Sequence, residues 1–131
     1  MLNYQIKNIA IGSLKPHEQI NTDHLAKLRA EIKNDGILKD PIIVDQNTLV
    51  ILDGHHRYNS LKSLEYNFCP CCLVDYQSDE IAVGCWRQGE TIAKKDVLAA
   101  GLSGSLLVPK TSRHIIPERP VGLNIPLAEL V

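Results

Sequence analysis

The stretch Val50–Leu64, VILDGHHRYNSLKSL, constrains this chain more than any other. An apolar run ends at Asp53-Gly54, and a helical period begins at once, with Tyr58, Leu61 and Leu64 on one stripe. The pattern predicts a strand that feeds through one glycine straight into a helix N-terminus. First-turn N–H groups have no partners inside the helix, and the aligned peptide dipoles add positive potential, so such a junction attracts anions. Gly54 lets a ligand approach the backbone, Arg57 offers a two-pronged fork for phosphate, and His55 and His56 carry N–H donors. Asp53 suits this setting if it holds a divalent cation or orients a neighbouring imidazole.

Around this junction the periodicities alternate. IKNIAIGSL (6–14) reads as a first strand closed by Lys15-Pro16. A helix follows from about Asp23, capped by Thr22 or Asp23, with Leu25, Leu28 and Ile32 on its apolar stripe and Gly36 in its last turn. PIIVD (41–45) and TLVIL (48–52), split by Gln46-Asn47, read as a hairpin. CLVDY (72–76) and EIAVGCW (80–86) read as strands, and Lys94 to about Ala100 as a helix capped near Thr91 and ended by Gly101 and Gly104. The stretch 105–131 carries four of the seven prolines and reads as extended loop packed on the core. This order predicts an α/β (α+β) fold with a small mixed sheet, partly open and flanked by helices.

Composition narrows the function classes. At 131 residues, 44% hydrophobic and 22% charged, the chain matches one domain that buries a core without a metal or disulfide staple. A formal net charge of -1 gives no general attraction for nucleic acid, and no apolar run is long enough for a membrane span. The N-terminus lacks the regions of a signal peptide, so a cytoplasmic location is expected. Cys69, Cys71 and Cys72 in FCPCCLVDY do not follow C-x2-C spacing and run into a strand, which reads as packing; Cys85 stands apart.

Two more stretches carry chemistry. LKPHEQI places Glu18 just after a strand, beside His17. VPKTSRHIIPER groups Lys110, Thr111, Ser112, Arg113 and His114 between Pro109 and Pro117, a restrained loop whose hydroxyls and cations suit an anionic group.

Together LKPHE, GILKDPIIVD, VILDGHHRYNSLKSL and CLVDY resemble the ParB N-terminal/sulfiredoxin superfamily, and within it the free L-serine kinases. The later stretch from Trp86 onward is similar to the closing part of those kinases. The resemblance implies phosphoryl transfer from ATP or ADP, with Mg2+, to the hydroxyl of L-serine or an analogue. It implies Glu18 as general base and Asp53 as the residue assisting metal and reacting group. Gly54, His55, His56 and Arg57 would hold nucleotide phosphates; Lys110, Thr111, Ser112, Arg113 and His114 would hold serine or its phosphate. Those roles match the needs of phosphoryl transfer, which are charge neutralisation, in-line positioning and a base.

The chain also departs from its relatives. Residues 77–84 join two segments that are separated by extra sequence in the longer serine kinases. His55 occupies the position of the reactive sulfiredoxin cysteine, which argues against sulfinic acid reduction. The arginine-rich CTP loop and helix-turn-helix region of partition proteins are absent. The alternatives are a non-catalytic nucleotide-binding or DNA-associated module, and a nuclease using Asp53 and Glu18 as metal ligands.

Overall fold

A computed structural model describes residues 4–86, 89–109 and 111–131. Strand β1 (Gln5–Ala10) ends in a 3-10 turn at Ile11–Ser13, so the first strand stops short of Leu14. Helix α1 (Thr22–Asp35) is capped one residue earlier than the sequence suggests: Asn21 is the cap, its side chain accepting the N–H of His24. Gly36 closes α1 in the left-handed region, as its position predicts. The expected hairpin forms from β3 (Ile42–Asp45) and β4 (Ile51–Asp53), after the two-residue β2 (Ile37–Leu38). Asp45 is buried and holds the turn, accepting the N–H and O–H of Thr48.

Helix α2 (His55–Ser63) follows, then β5 (Phe68–Val74), β6 (Ala82–Cys85) and α3 (Lys94–Ser103). The main sheet has the order β1-β5-β3-β4, with β3 parallel to β5 and the other pairs antiparallel. Both faces are covered, so the inner strands are apolar throughout rather than alternating. Ile42, Val44, Cys69, Cys71 and Leu73 pack on the α1 and α2 side, while Ile43, Cys72 and Val74 pack with Val97 of α3 on the other. This mixed α+β architecture is the predicted fold class. Cys69, Cys71 and Cys72 are fully buried free thiols, which agrees with a packing role.

The stretch after Gly104 is where the structure corrects the reading. It is not loop throughout but supplies β7 (Ser112–Ile115), β8 (Ile125–Pro126) and a 3-10 turn, Leu127–Leu130. Strand β7 pairs with β6 and β8 with β2, so each needs a partner remote in sequence. Gly101, expected to end α3, lies inside it; the helix runs on to Gly104.

Gly101 is there because Val50 leaves no room for a side chain. A Cβ at this position would stand 2.7 and 2.8 Å from the two methyl carbons of buried Val50. Gly101→Ala should therefore lower stability by about 1–3 kcal/mol through overpacking, despite the better helix propensity of alanine. Urea unfolding of the two proteins measures the difference.

Candidate active site

Three segments remote in sequence meet at one end of the main sheet. Residues 17–19 run beside Leu107, with Leu107 N–H donating to the His17 carbonyl (2.8 Å) and Gln19 N–H to the Leu107 carbonyl (2.7 Å). Strand β7 begins at Ser112, β4 ends at Asp53, and α2 begins at His55 with only Gly54 between. They enclose a cavity of about 560 Å³ lined by Glu18, Asp53, Gly54, His55, His56, Arg57, Ser112, Arg113 and His114. Thr111 bounds the site through its backbone, its hydroxyl donating instead to the Val108 carbonyl. Lys110 lies outside the described residues.

Glu18 is held from one side. Its Oε1 accepts the N–H of Thr111 (2.9 Å), the N–H of Ser112 (2.7 Å) and lies 3.1 Å from the Ser112 hydroxyl. Gly54 has φ of +101°, and a Cβ there would sit 2.6 Å from Ile42, so only glycine permits this strand-to-helix junction. The sharp turn sets the N-terminus of α2 beside the cavity, with Gly54, His55 and His56 in its lining.

The histidines divide by what they already bind. His17 is fully buried, with Nδ1 2.6 Å from the Ile51 carbonyl and Nε2 2.8 Å from Ser112 Oγ. His55 accepts the His17 N–H on Nε2 (3.1 Å), and burial, reinforced by the neighbouring His17, His114 and His56, pushes its imidazole well below the usual value. His114 is pushed down to about 4 by burial and then by His17, and its Nε2 lies 2.8 Å from the Tyr76 hydroxyl. Burial raises the Tyr76 phenol, so it stays protonated and donates. His55 and His114 are therefore neutral near pH 7, each with at least one ring nitrogen engaged inside the protein, which weakens both as direct phosphate donors. His56 accepts the Asn21 N–H and stacks on His24, with ring centroids 4.2 Å apart.

Sequence reasoning missed Arg119. Its guanidinium lies 2.6 Å from Asp53 Oδ2, while Arg57 lies 3.8 Å from the same oxygen and reaches the Asp40 and Pro41 carbonyls. Burial pushes the Asp53 carboxyl up, and the two arginines more than offset this, holding it below its ordinary value. A carboxylate so paired fits a divalent cation poorly. Among the described residues no group of three or more His, Cys, Asp or Glu side chains could hold a metal ion. No signal near Arg119 beyond its charge marks it, because its PERP setting reads as surface turn. At the cavity mouth Arg113 lies over the ring of exposed Trp86, 4.8 Å from its centroid.

Residues 2–85 match the ParB N-terminal domain model. The chain belongs to the ParB N-terminal domain family. Among its relatives, a ParB-like protein of Sulfolobus acidocaldarius is 36% identical over 88 residues, 67% of this chain and 44% of that protein. An ATP-dependent L-serine kinase of Staphylothermus marinus is 32% identical over 60% of this chain and 32% of its own length. In each case the match spans less than half of the curated relative. Of solved structures, a free serine kinase variant in complex with AMP superposes with a TM-score of 0.85, at 17% identity, covering 99% of this chain and 95% of that one. That likeness extends the shared fold past the family match, through β7 and the closing turn.

The Asp53–Arg119 pair has a testable sign. The folded carboxyl titrates below the unfolded value of about 3.9, so the pair stabilises above that pH and its contribution is lost as pH falls through the folded value. The Asp53 and Arg119 side chains are 44% and 30% exposed, so solvent screens them and Arg119→Gln should cost about 1 kcal/mol or less at neutral pH. The deficit should narrow at an acid pH below the unfolded value of about 3.9. Urea titrations at both pH values check magnitude and sign.

Proposed function

We propose that this ParB-family chain is a small-molecule kinase that moves a phosphoryl group from ATP or ADP to the hydroxyl of free L-serine. One observation carries the reading: Glu18 opens onto the same cavity as the N-terminus of α2, with Arg57 and Arg119 beside it. Relatives named as ATP-dependent and ADP-dependent L-serine kinases support the reaction class and the choice of donors.

Residue roles follow from what each group has left to offer. Glu18 uses Oε1 on the backbone of 111 and 112 and keeps Oε2 to take the proton of the attacking hydroxyl. The Gly54 junction and the first turn of α2 receive phosphate oxygens, where the helix dipole favours negative charge. Arg57 and Arg119 neutralise charge on the moving group, and Asp53 fixes their orientation rather than repelling the phosphate alone. Any Mg2+ arrives on the nucleotide, because such ions are held largely by phosphates and water. Arg113 and Ser112 border the acceptor side of the cavity.

A nuclease reading gains no support, since Asp53 is engaged by Arg119. The ParB-like relative keeps a non-catalytic nucleotide-binding module as the second reading.

Incubation with L-serine, Mg2+ and ATP or ADP, followed by phosphorus NMR, tests the proposal. O-phosphoserine should appear with the unaltered protein, and Glu18→Gln should cut its rate by about 10²-fold or more while leaving the unfolding transition in place. Binding of nucleotide without any phosphoserine decides for the binding module.

A further inference from the structure

Ser112 stands between two groups that both want its one hydroxyl proton. Oγ is 3.1 Å from Glu18 Oε1 and 2.8 Å from His17 Nε2. The other nitrogen of His17 faces the Ile51 carbonyl at 2.6 Å, and a carbonyl only accepts, so Nδ1 carries a proton. That leaves Nε2 with two states. Bare, it needs the Ser112 O–H; protonated, it donates to Oγ and frees the hydroxyl proton for Glu18.

The backbone chooses between them. Two amides donate to Oε1, so that oxygen acts as an acceptor and presents no proton to Ser112. A charged Oε1 facing a bare hydroxyl lone pair is unfavourable, so the carboxylate draws the Ser112 O–H toward itself and leaves His17 Nε2 in need of its own proton. Burial outweighs the Ile51 carbonyl, Glu18 and Asp53 and holds His17 below its ordinary value, so an imidazolium needs the further support of the hydroxyl chain. Other titratable groups face His17 too: His55 of α2 with ring centroids 4.6 Å away, and His114 of β7 at 6.0 Å.

We propose that Glu18 and His17 hold one proton between them through the Ser112 hydroxyl, making His17 a positioning residue for Glu18. With Glu18 charged, a proton on His17 Nε2 completes a chain that runs Nε2–H to Oγ, Oγ–H to Oε1. When Glu18 binds a proton, His17 releases its Nε2 proton to solvent and Ser112 turns its O–H to the vacated nitrogen. One proton enters and one leaves. The role assigned to Glu18 as base rests on the kinase reading, but the coupling itself does not need substrate.

Nitrogen-15 NMR of the His17 ring, recorded without nucleotide across the folded pH range, decides the matter. Glu18→Gln should move the His17 protonation midpoint down by about one pH unit or more. In a Ser112→Ala background the same change should have less than about a third of that effect, and Ser112→Thr, which keeps the hydroxyl, should restore it. An equal shift with and without the hydroxyl would mean a direct field from Glu18 and overturn the relay. So would a ring that stays neutral in the unaltered protein at every pH where it folds. Should Ser112→Ala fail to fold, Ser112→Gly, which also lacks the hydroxyl, takes its place: the Glu18→Gln shift should again fall below about a third, and an undiminished shift overturns the relay. Failure of phosphoserine formation would leave all these outcomes readable.

Discussion

A carboxylate at residue 18 meets amides at residues 111 and 112 across some ninety residues of chain, and the cavity exists because they meet. A half-buried carboxylate is costly unless donors satisfy it, and here the donors are backbone, held in place by the pairing of β7 with β6. The contact therefore ties the front of the chain to its last third. It engages one carboxylate oxygen, Oε1, whereas a two-pronged partner such as arginine would engage both.

The electrostatics of the cavity are built from pairs rather than from isolated charges. Asp53 lies against Arg119 and Arg57, so the negative charge at the mouth of an anion-attracting helix end is neutralised internally. The imidazoles of buried His55 and half-buried His114 are neutral because removal from water disfavours an unpaired charge. What remains is the positive potential of a helix N-terminus and, held on backbone amides rather than on an arginine, the carboxylate of Glu18. This division suits a reaction in which anionic phosphate and a proton must go to different places.

Much of this arrangement could be read along the chain. The junction at Asp53-Gly54 follows from an abrupt change of period, and Gly54 proved to be sterically required by Ile42. The β3–β4 hairpin and the cap glycines Gly36 and Gly104 follow from turn chemistry. Asn21 took the cap expected of its neighbours because its side chain, and not theirs, reaches the N–H of His24. The cysteines read as packing because nothing in their spacing matches a ligand set, and all three in β5 are buried.

The remainder needed three dimensions. His17 looks like an ordinary neighbour of Glu18 until Ile51 and Ser112 close around it, and Arg119 looks like a surface turn until Asp53 is beside it. Strands β7 and β8 have no internal pattern that separates them from loop, because a short strand is made by its partner. Local spacing, governed by backbone geometry and side-chain period, determined the junction, the hairpin and the helices on its own. Only the tertiary structure decided which charges pair and which nitrogens stay protonated, because electrostatic energies depend on distances through space and those distances are set by pairings between the two ends of the chain.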